Sequence, residues 1–227
     1  MRRKFLILLA IFGLFWNSCV EQKKITREDY EWSDFWKEHE PDGTKPRVLF
    51  IGNSITRAYF PIIAKKLSGK MNCDRYSTSR SIEDPVLLEE TKLALGNYHH
   101  AVIHFNNGLH GWHLNKEQYR KGLERYVKFL KAHKSKDCIL VYSLTTPVSS
   151  EIPGQKFDPV RNKTVMERNE VAREIMVKNG IQVIDLYGLM EPELDKYVDR
   201  KGDLHYKGPG YEMMADLISG EIMKLVK

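Results

Sequence analysis

Arg47-Val-Leu-Phe-Ile-Gly-Asn-Ser54 sets an apolar run over residues 48–51 directly against a Gly-Asn-Ser turn. An unbroken run of this kind reads as a strand buried on both faces of a parallel sheet. Beyond it Ile55, Tyr59, Ile62, Ile63 and Leu67 recur at helical spacing, so the stretch predicts strand, turn and helix in succession. Ser54 thereby falls at the carboxyl end of a buried strand and at the N-terminus of a helix. Open α/β sheets bind ligands at that edge, and the unpaired N–H groups of such a helix favour a developing anion. Ser54 has two readings: a nucleophile, or a residue that only caps the helix, as serine often does.

The pattern continues downstream. Residues 71–76 form a weak strand candidate that leads into the polar stretch 77–84. Asp84 and Pro85 then cap and start a helix carrying Leu87, Leu88, Leu93 and Leu95 and ending near Gly96. Residues 101–105 are the next strand, breaking at Asn106-Asn107-Gly108. Residues 114–132 read as a long helix with Tyr119, Leu123, Tyr126, Val127 and Leu130 on one stripe. Residues 138–144 are another apolar strand, followed by a loop of about seventeen residues, a length that usually marks function. Residues 162–178 are helical, with Val165, Asn169, Ala172, Ile175 and Met176 inward, and residues 181–185 are the last clear strand. A mixed connection over 186–198 precedes a terminal helix opened by Pro209. Strands alternating with helices predict a mainly parallel, about five-stranded sheet with right-handed crossovers, covered on both faces: a three-layer α/β/α sandwich.

A chain of 227 residues, 42% hydrophobic, suits one α/β domain with a sizeable core. Its first residues read as a targeting segment. Arg2, Arg3 and Lys4 precede an uncharged apolar run over residues 5–16, and Asn17-Ser18-Cys19 follows. The run is too short for a comfortable membrane span. Residues 1–18 are expected to be a signal peptide, and Cys19 resembles the lipidated cysteine of a bacterial lipoprotein; an uncleaved anchor and an ordinary signal peptide are the alternatives. The lipoprotein reading places the protein in the bacterial cell envelope, held to the membrane by an N-terminal lipid anchor. Residues 19–46 are expected to be a tether with a short amphipathic helix through Tyr30, Trp32, Phe35 and Trp36, then a turn-rich joint, with the domain over 47–227. The formal charge of +6 includes three positive and no negative charges in residues 1–18, leaving about +3. With no dense Lys/Arg run, nucleic acid is not an expected partner. Cys73 and Cys138 lie on separate predicted strands and could pair or stay buried thiols.

On this topology Ser54, residues 79–81, Asn106, the loop over 143–157 and Asp203-Leu-His205 all fall at one sheet edge. Acyl transfer needs a hydroxyl nucleophile, a base and donors for the oxyanion, and this edge offers a candidate for each. The order Gly52-Asn53-Ser54-Ile55 near the start, Asn106 after the middle strand and His205 before the last helix resembles the SGNH (GDSL-type) hydrolase superfamily. The resemblance covers about residues 47–226 in four short blocks. The first block of that family usually reads Gly-Asp-Ser, against Gly-Asn-Ser here. Its third reads Gly-x-Asn-Asp, against His104-Phe-Asn106-Asn107, and its last Asp-x-x-His, against Asp203-Leu-His205. The second block normally supplies a Gly N–H, and Ser81 is the positional match. The resemblance implies Ser54 as nucleophile, His205 as general base and then acid, and an oxyanion hole of Asn106 with the N–H groups of Ser54 and Ser81. Asp203 is expected to orient His205, since residues two apart in an extended loop point to one side.

Asn53, Arg80, Asn107, His110 and Trp112 are expected to line the substrate site. The implied activity is that of a serine esterase without cofactor, acting on a small acylated substrate. Aromatics near the site (Tyr59, Phe105, Trp112, Phe157) suit an O-acetylated carbohydrate, because aromatic faces stack on sugar rings and acetyl needs only a small pocket. A lipid esterase or lysophospholipase would need a longer apolar channel. A non-catalytic surface binding protein on the same fold is the alternative from another class. His110-x-x-His113 could put two ligands on one helical turn, but no zinc-type Cys/His spacing accompanies it, and no metal is expected. His104, on a strand, reads as a satisfied core residue.

Overall fold

The computed structural model describes residues 25–38, 44–96 and 98–226 of the chain, so the expected signal peptide and Cys19 lie outside the described residues. Within them the order is β1 (Ser33–Trp36), β2 (Arg47–Gly52), α1 (Ser54–Leu67), β3 (Asn72–Thr78), α2 (Pro85–Leu95), β4 (His100–Phe105), α3 (Lys116–His133), β5 (Ile139–Ser143), α4 (Arg161–Lys178), β6 (Gln182–Ile184), α5 (Leu186–Met190), α6 (Leu194–Tyr197) and α7 (Gly208–Leu225). The strands form one sheet of order β1-β3-β2-β4-β5-β6, parallel except for β1.

Every residue of β2 is buried, because helices cover both faces of the sheet around it. Alternation along the strand splits the core in two. Val48 and Phe50 join Val102, Val141 and Ile184 in a cluster closed by Ile63 of α1 and Met214, Ile218 and Ile222 of α7. Leu49 and Ile51 face the other way, with Ile103, Phe105 and Tyr142, against Leu87 of α2, Leu123 and Val127 of α3 and Ala172 of α4. The helices start where their caps are. Asn53 and Asp84 accept from Ile55 N and Val86 N, and Asn115 and Gln118 form a reciprocal capping box at α3.

The aromatic segment before the domain corrects the sequence expectation. Residues 33–36 are not a helix but a strand, antiparallel to β3, with Ser33 opposite Thr78 and Trp36 opposite Arg75. Trp32, Phe35 and Trp36 have helical spacing, but β3 would otherwise present an unpaired edge whose N–H and C=O groups need partners. Phe35 stacks on Tyr76 and Arg75 pairs with Asp34 at 2.9 Å, which fixes the register. Cys73 and Cys138 are both buried free thiols, on and beside strands separated by β2 and β4.

From β2 the chain goes to β3 on one side, then crosses to β4 on the other. That reversal of strand order opens a crevice at the carboxyl ends of β2 and β4, where such sheets hold ligands. Ser54 and Asn106 both sit there.

Candidate active site

Three side chains from two distant parts of the chain meet in a hydrogen-bonded line. Ser54 Oγ lies 2.9 Å from His205 Nε2, and His205 Nδ1 lies 2.8 Å from Asp203 Oδ1. Gly52 lets the helix turn this tightly, since a Cβ there would collide with the Thr56 hydroxyl. Ser54 is the first residue of α1, so its N–H has no intrahelical acceptor and points out of the helix end.

The loop carrying His205 is braced like a narrow hairpin. Val198 bridges Tyr206, Asp199 N donates to His205 O at 2.9 Å, and Lys207 N donates to Tyr197 O at 2.7 Å. Asp203 folds back on its own backbone. Its Oδ1 accepts from Leu204 N at 2.7 Å and His205 N at 3.1 Å as well as from the ring, while Oδ2 accepts from Arg200. Burial opposes its charge, but the bonds from the His205 N–H, the His205 ring and the Leu204 N–H win, and the carboxyl is pushed down to about 2. The two-residue spacing therefore delivers a carboxylate to the imidazole.

These three residues open onto a cleft of about 930 Å³. Of the residues expected to line it, His110 and Trp112 do. Asn53, Arg80 and Asn107 do not. Asn53 is buried as the cap of α1, Arg80 is tied to Glu31, Asp84 and Glu90, and Asn107 donates to Arg80 O while its own carbonyl accepts from Tyr119. Tyr59 and Phe105, read as near the site, belong to the two halves of the core. Glu28, Trp32, Arg57, Glu151 and Arg161 line the cleft without having been expected there. Arg57 was within reach of a sequence reading, being one helical turn past Ser54. Glu28 and Trp32 were not, because their segment read as a tether and a short amphipathic helix; Trp32 is held in place by paired bonds to Ser79.

The two remaining oxyanion candidates are placed differently from the expectation. The Asn106 amide donates to Ser143 O at 2.8 Å and to Thr145 Oγ1 at 3.1 Å, which uses both its hydrogens. It ties the ends of β4 and β5 together instead of reaching the cleft lining. Ser81 is buried beneath Gly111, whose missing Cβ and φ of +67° permit the approach, and it too is absent from the lining. Below them, His104 is fully buried with Nε2 2.6 Å from Ser143 Oγ, and burial pushes its pKa down to about 3, so it is neutral.

His110 and His113 do not share a helical turn. Each faces its own carboxylate, Glu28 and Glu83, at 2.8 Å. No group of three or more metal-ligating side chains occurs among the described residues.

No family model and no curated protein matches the sequence. Solved structures do. A GDSL-like lipase from Bacteroides thetaiotaomicron VPI-5482 superposes with a TM-score of 0.62 at 18% identity, covering 83% of this chain and 93% of that one. A member of the lipolytic protein G-D-S-L family from Veillonella parvula DSM 2008 gives 0.62 at 18% identity, covering 78% and 98%. A mutant of an acetyl-xylooligosaccharide esterase from Geobacillus gives 0.63 at 14% identity, covering 78% and 94%. The chain therefore has the fold of the SGNH/GDSL hydrolases.

Proposed function

We propose that this chain, on the fold it shares with GDSL-like lipases, is a serine esterase that removes O-acetyl groups from a carbohydrate. The carrying observation is the line Ser54–His205–Asp203 in the lining of the cleft. A carboxylate can only accept, so Asp203 fixes the imidazole proton on Nδ1 and leaves Nε2 to take the Ser54 proton. Ser54 Oγ attacks the acyl carbon, and the Ser54 N–H is the donor this arrangement leaves for the oxyanion. The imidazolium gives its proton to the departing alcohol, and water repeats the sequence on the acyl-enzyme.

The lining supports a sugar over a lipid chain. Trp32 and Trp112 bring aromatic surface, each ring with a guanidinium against it, while Glu28, Arg57, Glu151 and Arg161 suit hydroxyl groups and make a poor channel for an acyl tail. The N-terminal pattern around Cys19 supports an anchored position in the cell envelope. Acetate release from O-acetylated oligosaccharides, set beside hydrolysis of long-chain p-nitrophenyl esters, tests the substrate class. Preference for the long chains would favour a lipid esterase.

Asp203→Asn is expected to lower kcat by about 10²–10⁴, because an asparagine can drive the ring into the wrong tautomer. A change within about twofold would give the orienting role to another group. The same variant reports on stability. Because the folded carboxyl titrates below the ordinary value of 3.8, its contribution is full above that pH and is lost as pH falls toward 2. Urea melts of the two proteins should therefore converge as the pH is lowered through that window.

Asn106→Ala is expected to act mainly on stability, by about 1–3 kcal/mol, since it strips partners from the buried Ser143 carbonyl. Its effect on kcat should stay below about tenfold; a loss of about 10²–10³ at little cost in stability would mean that the amide turns to the oxyanion during reaction. The committed amide is also the observation that favours a non-catalytic binder, and absence of turnover on every acyl ester would select that reading.

A further inference from the structure

Arg57 is the cation of the cleft that the fold leaves uncommitted. It lies three residues after Ser54 on α1, so both side chains leave the same face of the helix, with Cβ atoms about 5–6 Å apart. Both open onto the cleft. Most other charged groups there have partners: Glu28 meets His110, Arg161 meets Asp158, Lys201 meets Asp195, and Asp203 takes both Arg200 and His205. Arg57 has no carboxylate partner among the described residues. Its guanidinium instead lies 5.0 Å from the ring centroid of Trp32, which itself meets His110 edge-on. Among the described residues Glu151 is the one lining acid without an ion pair, and its stem packs against Gly202 on the wall that carries Asp203.

An arginine resting on an aromatic face loses little freedom when it binds, and its planar fork matches a carboxylate with two parallel hydrogen bonds. Its place one helical turn from the nucleophile puts the guanidinium on the same wall of the cleft as Ser54. One free cation among the described lining residues, in a cleft that also holds the carboxylate of Glu151, suits a monoanion better than a phosphate dianion. We propose that the ester this cleft receives carries a carboxylate on its alcohol part, bound by Arg57 on its Trp32 pedestal. The inference rests on the esterase reading and narrows it to the acetyl esters of acidic alcohols, such as a sugar acid.

The test uses two esters with the same acetyl group and different charge, 4-acetoxybenzoate and its methyl ester, and reads acetate release. Each is assayed with wild type, Arg57→Ala and Arg57→Lys, and comparing variant with wild type on each ester cancels the difference in intrinsic reactivity. Arg57→Ala is expected to lower kcat/KM for the carboxylate ester at least about tenfold more than for the methyl ester, with Arg57→Lys between. The charge preference of the wild type should shrink as salt rises. Equal losses on both esters would overturn the proposal. If the wild type hydrolyses neither, calorimetric binding of 4-acetamidobenzoate and its methyl ester decides. Carboxylate-dependent binding that Arg57→Ala abolishes would keep the anion site and, with no turnover on any other acyl ester, sink the esterase reading, whereas binding indifferent to charge would sink the anion site itself. Arg57 is exposed on a helix surface where alanine is well tolerated, and circular dichroism of each variant confirms folding.

Discussion

Ser54→Ala is expected to lower kcat on p-nitrophenyl acetate by about 10⁴–10⁶-fold, because only binding and the oxyanion donor would remain. The fold should not notice. The cap of α1 comes from Asn53, whose side chain holds Ile55 N at 3.0 Å, so the helix start does not depend on the serine. A thermal midpoint within about 2 °C of wild type is the expected control. His205→Ala should cost nearly as much, since the hydrogen bond from the Ser54 hydroxyl runs to His205 Nε2 at 2.9 Å. The double variant should then be scarcely worse than either single one, as expected of residues that act as a unit. Losses that multiplied would mean that serine and histidine serve different steps.

Arg168→Met carries the second large effect, on stability. Arg168 projects from α4 into the core and is only 2% exposed. Its guanidinium donates to the carbonyls of Gly108 and His110 at 2.9 Å and of Gly111 at 2.6 Å, between the rings of Trp112 and Tyr119. Burial lowers its pKa from the ordinary value, yet a guanidinium stays charged, and three carbonyl dipoles stand where a carboxylate would. Methionine fills the same space and strips those carbonyls of their donor. The expected loss is about 3–5 kcal/mol, or about 10 °C in thermal midpoint. Because the same loop carries His110 and Trp112 into the cleft, KM should rise more than kcat falls. A loss below about 1 kcal/mol in urea unfolding would show that the carbonyls find water instead.

Most of the scaffold was legible because its signals are local. The apolar run of β2, the Asp84-Pro85 start of α2 and the stripe of α3 each follow from neighbours in sequence. The meeting of Ser54 with His205 was legible for a different reason: alternation of strand and helix brings all strand ends to one edge, so polar residues after strands must assemble there. What failed was non-local. Residues 33–36 carry helical spacing, and only the open edge of β3 makes them a strand. Asn106 stands after the strand where an oxyanion donor belongs, but the positions of Ser143 and Thr145, a further strand away, decide where its amide points. Trp32 and Glu28 reach the cleft because that edge strand brings them back over it, which no window of sequence contains.

The direct test of the serine reading is covalent. Incubation with a fluorophosphonate, followed by intact-mass and peptide analysis, should give a single adduct on Ser54 that Ser54→Ala abolishes and His205→Ala slows by orders of magnitude. An unlabelled protein, or an adduct on another residue, would contradict a nucleophilic Ser54 activated by His205.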